Sequence, residues 1–171
     1  MAADRDRDAS GRPRQGRPRD ELGRPLPHGA TGVAPVSEEP LPPEQALAAA
    51  RELVDQGRPF SAHEVLEARW KACPVQERAL WQGLAQICVA LTHAARGNAL
   101  GAERILDRGV GRIEEYAETG TGPRYGLDLA AVIACAREGV ATAASRAAPR
   151  NAPGAAPRAG SLRESPPIAG E

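Results

Sequence analysis

VQERALWQGLAQICVALTHAARGNALGAERIL, residues 75–106, is the stretch on which the fold turns. Leu80, Leu84, Ile87 and Leu91 recur at helical spacing and predict a long helix over about 75–96. Gly97 stops that helix. Asn98 suits the cap of the next, over about 99–117, where Ile105, Leu106, Val110 and Ile113 continue the pattern. Two helices joined by a Gly-Asn turn form a helical hairpin, and the chain on either side extends the theme.

Upstream, Pro43 fits the first position of a helix over about 43–56. Leu47, Ala50 or Arg51, and Val54 lie on one stripe, and Gly57 serves as the C-terminal cap. Ser61 followed by Glu64 reads as a capping box, flanked by a Phe60/Val65 hydrophobic staple, so a second helix is predicted to begin at Ser61. It ends near Cys73, since Pro74 disfavours helical geometry in the residue before it. Downstream, the glycines of TGTGP (119–123) break the pattern, and a fifth helix is predicted over about 127–145 with Asp128 at its start. No segment with a period of two competes. The expected fold is therefore all-α, a compact bundle of about five helices built from αα-hairpins. Displacing the chain by 40 residues aligns Gly57 with Gly97, Ala62 with Ala102, Leu66 with Leu106 and Glu67 with Asp107. Two copies are too few for a binding solenoid and suit a compact bundle.

Composition bounds the rest. Among 171 residues, 22 Lys and Arg balance 22 Asp and Glu, so no basic excess exists to hold phosphates, and a general nucleic-acid binder is excluded. Most of the 16 prolines fall at the two ends, whereas every aromatic residue and cysteine falls in the middle. Residues 1–43 and 147–171 are thus expected as disordered tails around a helical domain over 44–146. No apolar run is long enough for a membrane span or a secretory signal, which points to a cytoplasmic setting. Cys73, Cys88 and Cys135 form no CxxC pair and are expected as buried free thiols.

The residues that could carry chemistry cluster on two helices. His63, Glu67 and Trp70 share a face of the second; Gln82, Gln86 and His93 lie along the third. Antiparallel packing of these helices would bring Gln86 or Gln82 to the polar face of the second helix, with Trp70 as one wall; His93 joins only if the crossing angle permits. Two imidazoles and a carboxylate suit a divalent metal, so His63, Glu67 and His93 are the weak candidates for ligands. Glu67 stands where a zincin would need its second His, so the HExxH hydrolase motif is absent. Against these stands a plainer reading, in which His63, Glu67 and a Gln form a satisfied buried network. Glu64 is already explained by the capping box, Asn98 and Asp128 by helix capping, and Trp70 and Trp81 by the core.

At these residues the chain resembles the bacterial and plastid DUF309 family, small helical proteins of unassigned function. Their defining stretch reads like F-x-x-HE-x-x-E-x-x-W, QG-x-x-Q and H-x-x-x-GN-x-x-GA. The matching residues are Phe60, His63, Glu64, Glu67 and Trp70; Gln82, Gly83 and Gln86; His93, Gly97, Asn98, Gly101 and Ala102, with Gly126 and Asp128 resembling a later GxD element. The resemblance spans about residues 46–138 and implies an all-α fold with a shared polar site, naming no ligand. Three functions follow as expectations. The first is a ligand-binding or interaction module for a small molecule or protein, with candidates His63, Glu64, Glu67, Trp70, Gln82, Gln86, His93, Asn98 and Asp128, and an accessible pocket beside Trp70. The second is an enzyme, such as a metal-dependent hydrolase, using His63 or His93 as general base with Glu67 orienting it, which requires the polar side chains to converge. The third is a closed, fully paired structural network. Cofactor and oligomeric state are left open by the sequence.

Overall fold

Five α-helices succeed one another through short turns in a computed structural model that describes residues 17–119 and 122–148. They are α1 (Pro43–Asp55), α2 (Pro59–Ala72), α3 (Arg78–Ala95), α4 (Ala99–Thr119) and α5 (Leu129–Ala147), with a 3-10 turn (Val75–Glu77) ahead of α3. Among the described residues the extended elements amount to one isolated bridge, Arg19 to Pro25. The expected tails over 1–16 and 149–171 lie outside the described residues.

α3 is the hub, packed against α2, α4 and α5, while α1 closes on α2. Its Leu80, Trp81, Ala90 and Ala94 are fully buried, and Ala62 and Leu66 of α2 and Ala102, Leu106, Val110 and Ile113 of α4 pack into the same core. Isolated helices of this length are marginal in water, so burial holds them, each large apolar side chain contributing roughly 1.5–3 kcal/mol.

The two hairpins turn by the same device. Gly57 and Gly97 both adopt positive φ, +75° and +81°. The N–H of Gly57 donates to the Val54 carbonyl (2.9 Å) and that of Arg58 to Leu53 (2.8 Å). Gly97 donates to Ala94 (2.9 Å) and Asn98 to His93 (2.9 Å) in the same pattern. Each turn is a Schellman motif, and only a residue without Cβ takes that conformation cheaply. The 40-residue correspondence thus marks two equivalent hairpins in one compact bundle, with Ala62 and Ala102 both fully buried. Asn98 also caps α4, its Oδ1 accepting from Gly101 N at 3.0 Å. Asn98→Ala is expected to cost about 1 kcal/mol, measurable by urea denaturation.

The start of α2 differs from the sequence expectation. The helix begins at Pro59, with Arg58 as N-cap and no side-chain cap, so Ser61 and Glu64 form no capping box. Pro59 lacks an N–H that would be unpaired there and has φ preset for helix, so it captures the first position. Ser61 then sits in the first turn and accepts from Arg58 Nη2 (3.1 Å), and Phe60 is helical rather than half of a staple. The predicted start of the third helix at 75 is likewise a 3-10 turn, with Glu77 N donating to Pro74 O at 3.0 Å.

Glu77 is turned inward for a reason. Only 7% exposed, its Oε2 accepts from Trp81 Nε1 at 2.8 Å and from Arg69 Nη2 at 3.4 Å, and the Tyr125 hydroxyl also bonds to it. Arg69 lies 5.4 Å from the Trp81 ring centroid, and Tyr125 packs on Trp81 at 5.6 Å. Tyr125 adopts φ +51°, a left-handed conformation costing a bulky residue about 1–3 kcal/mol, which these contacts offset. Tyr116 completes this end of the bundle by donating to Pro123 O at 2.7 Å.

Two expectations need correction. Cysteines 73, 88 and 135 are free, but only Cys88 is buried; Cys73 is half-buried and Cys135 exposed, because Cys135 falls on the outer face of α5. The packed chain also begins before residue 43: residues 17–42 form an arm lying on the helices. Asp20 Oδ1 accepts from the N–H groups of Leu22 (3.0 Å) and Arg24 (2.7 Å), folding a tight loop. Leu26 N donates to Pro18 O (2.8 Å) and Val33 N to Arg19 O (2.9 Å). Arg58 Nη2 holds Ala34 O at 2.7 Å, and Val36 and Leu41 pack on the core.

Candidate functional site

Residues 19–25 of the arm, the N-terminal part of α2 from Phe60 to Glu67 and the C-terminal end of α3 line an open cavity of about 550 Å³. It is lined by Arg19, Gly23, Arg24, Pro25, Phe60, His63, Glu64, Glu67 and Arg96. The absence of the capping box places Glu64 here, because its carboxylate is not spent on the helix end. The spacing of α2 sets His63 and Glu67 along the same wall, one turn apart.

The arm is fastened to the helices at two points beside the cavity. Arg96 donates through Nε (3.0 Å) and Nη2 to the Leu22 carbonyl, drawing the loop onto the end of α3. Gly23 lies flat on Phe60: a Cβ there would stand 2.2 Å from the ring, so no other residue fits. Arg19 covers the same ring, 5.0 Å from its centroid, while donating to Gly23 O.

His63 is the most enclosed polar group of the wall. Its Nδ1 is buried with no hydrogen-bond partner among the described residues, and its Nε2 stands 3.8 Å from Glu67 Oε2, beyond hydrogen-bond length. Burial pushes its pKa below the usual 6.5, with Glu67 opposing and Lys71 assisting, so the imidazole is neutral at pH 7. Glu67 is held by Lys71 Nζ at 3.0 Å. Burial raises the Glu64 carboxyl, opposed by the Arg19 guanidinium and reinforced by Glu67. Burial also lowers Arg96, helped by the nearby charges of Arg24 and Arg19 and opposed by Asp20.

Of the residues singled out from sequence, His63, Glu64 and Glu67 share this cavity; Trp70, Gln82, Gln86, His93, Asn98 and Asp128 do not line it. The expected pocket beside Trp70 is displaced toward Phe60. Trp70 is half-buried with Arg78 over its ring at 5.7 Å, and its Nε1 has no partner. Gln86 Oε1 is also buried without a partner. His93 Nδ1 contacts Asn98 Nδ2 at 2.9 Å, and Asp128 Oδ1 caps α5 by accepting from Ala131 N at 3.1 Å. Among the described residues no three His, Cys, Asp or Glu side chains gather as a metal site, so His63, Glu67 and His93 do not form the metal-ligand set considered from sequence.

The motif residues are thus spread over α2, α3 and the turn at Gly97, and those of α2 alone reach the cavity. Residues 47–105 match the family described as a domain of unknown function, DUF309. The chain is also similar to the uncharacterized protein YpuF of Bacillus subtilis (strain 168), 44% identical over 48 residues. Those residues are 28% of this chain and 28% of YpuF, so the likeness spans little more than a quarter of the relative's length. No solved structure matches. The DUF309 segment contains His63, Glu64, Glu67 and Arg96, whereas Arg19, Gly23, Arg24 and Pro25 precede it. Sequence reasoning missed Arg19 and Arg24 because the arm is low in apolar residues, and Arg96 because it ends α3 at no motif position; only tertiary contacts bring the three to α2.

Proposed function

We propose that the protein binds a small polar ligand in the cavity between residues 19–25 and α2, using His63, Glu64 and Glu67 from the DUF309 segment and Arg19, Arg24 and Arg96 as the opposing charges. The observation that carries this reading is the buried, unpartnered Nδ1 of a neutral His63 in the wall of a cavity of about 550 Å³. Leaving such an atom unpaired costs roughly 1–3 kcal/mol, and a closed structural network would pair it. The cavity volume falls within the range of small-molecule sites. Binding is favoured over general-base chemistry by the 3.8 Å separation, too long for Glu67 to orient the imidazole.

The functional unit under this proposal runs from the arm through α5, rather than over 44–146 alone. Its cytoplasmic setting rests on three free cysteines. Among the described residues no helix is long and apolar enough to cross a membrane. The test is side-chain NMR of the full chain, titrated with a library of polar fragments. Saturable shifts of the His63 ring resonances, abolished in His63→Gln, are expected. A library that leaves those resonances unmoved would overturn the site.

A further inference from the structure

From the charges around this cavity we infer that the ligand is a small zwitterion, of amino-acid to dipeptide size, with its anionic group toward Arg19, Arg24 and Arg96 and its ammonium group toward Glu64 and Glu67. The inference rests on the binding reading above and deepens it. The carboxylates come from one element, α2, and the guanidiniums from the arm and the end of α3, so the cavity lining has two charge signs contributed by different pieces of chain.

The cationic group is crowded. Arg19, Arg24 and Arg96 line one cavity; burial first, and then the charges of Arg24 and Arg19, disfavour the protonated form of Arg96, with Asp20 opposing them. Asp20 meets Arg24 at 3.8 Å, a long pair with the Arg24 side chain 52% exposed, which water screens well. A ligand carboxylate or phosphate would relieve this repulsion; a guanidinium has five N–H donors, and Arg96 spends Nε and Nη2 on the Leu22 carbonyl. An anion alone would face Glu64 and Glu67 across the same cavity, and a cation alone would face three guanidiniums. A ligand carrying both signs satisfies both groups. Lys71 already occupies Glu67 Oε1 at 3.0 Å, which leaves Glu64 as the principal carboxylate for an ammonium group.

The experiment is calorimetric titration of the full chain with the common α-amino acids and their dipeptides, each beside its N-acetyl and its carboxamide derivative. At least one zwitterion is expected to bind, with both of its derivatives weaker by about tenfold or more. Arg24→Gln is expected to erase the discrimination against the carboxamide, and Glu64→Gln that against the N-acetyl form. The wild-type comparison stands even if a variant folds poorly. Equal binding of the N-acetyl or of the carboxamide form would overturn the zwitterion class. Failure of the whole panel, while polar fragments still shift the His63 resonances, would overturn the class and leave the site standing; failure of both would remove the site too.

Discussion

Glu77→Ala is expected to destabilise the protein by about 3–5 kcal/mol, the range for removing one partner of a buried ion pair. The Glu77 side chain is 9% exposed and that of Arg69 16%, so the deletion strands a guanidinium beneath the bundle, together with the Trp81 indole N–H and the Tyr125 hydroxyl. Native domains hold only about 5–15 kcal/mol in total, so the variant should lose a large share of its stability in urea denaturation. Glu77→Gln separates charge from hydrogen bonding, since its carbonyl oxygen still accepts from Trp81.

The same pair also sets an acid dependence. Burial raises the Glu77 carboxyl, but hydrogen bonds from Trp81, Tyr125 and Arg69, with the Arg69 charge, outweigh it and hold the group below the usual 4.5. A carboxylate with a depressed folded pKa contributes stability that is present above its unfolded pKa and lost as pH falls through the folded value. Stability should therefore fall as pH drops below 4.5 in the wild type and fall less in Glu77→Gln, as thermal melts across that range would show. Parallel curves for the two proteins would mean that Glu77 is not held ionised by this network.

Gly83→Ala is the second large effect. A Cβ at Gly83 would stand 2.7 Å from Ile113 Cγ1 and 2.8 Å from the Gly109 carbonyl oxygen, and the second obstacle is backbone that cannot rotate away. The contact is reciprocal, since a Cβ at Gly109 would stand 3.0 Å from the Gly83 carbonyl. α3 and α4 therefore touch backbone to backbone at the centre of the bundle. Overpacking at its upper range costs about 3 kcal/mol, while alanine regains about 1 kcal/mol of helix propensity, so a net loss of about 2 kcal/mol is expected. Gly111→Ala is the control: nothing lies within 4 Å of its Cβ position, and it should stabilise by up to about 1 kcal/mol. Chemical denaturation of both variants reads the difference. A neutral Gly83→Ala would show that the helices separate at little cost.

The helices were legible from sequence where local chemistry decides them. The Gly57 and Gly97 turns, the Asn98 and Asp128 caps and the apolar spacing of α3 all act within a few residues, and each appears where the sequence places it. The start of α2 was misplaced because two local signals compete there, and Pro59 prevails over the Ser61 cap. The candidate site was legible in part: His63, Glu64 and Glu67 share a wall because helical periodicity puts them there, whereas Gln86 and His93 depended on a helix crossing that periodicity does not fix.

The sequence by itself determined an all-α chain of five helices in two equivalent hairpins and a polar α2 face, since capping, glycine turns and hydrophobic period are local in range. Only the tertiary structure decided that residues 19–25 close over that face. Their attachment runs through Arg96 to the Leu22 carbonyl, across 74 residues, and through Gly23 on Phe60. Neither contact leaves a periodic or hydrophobic trace in the chain, because one partner in each is backbone. Arg19 and Arg24, which complete the cavity with Arg96, consequently read as tail residues until the fold brings them to α2.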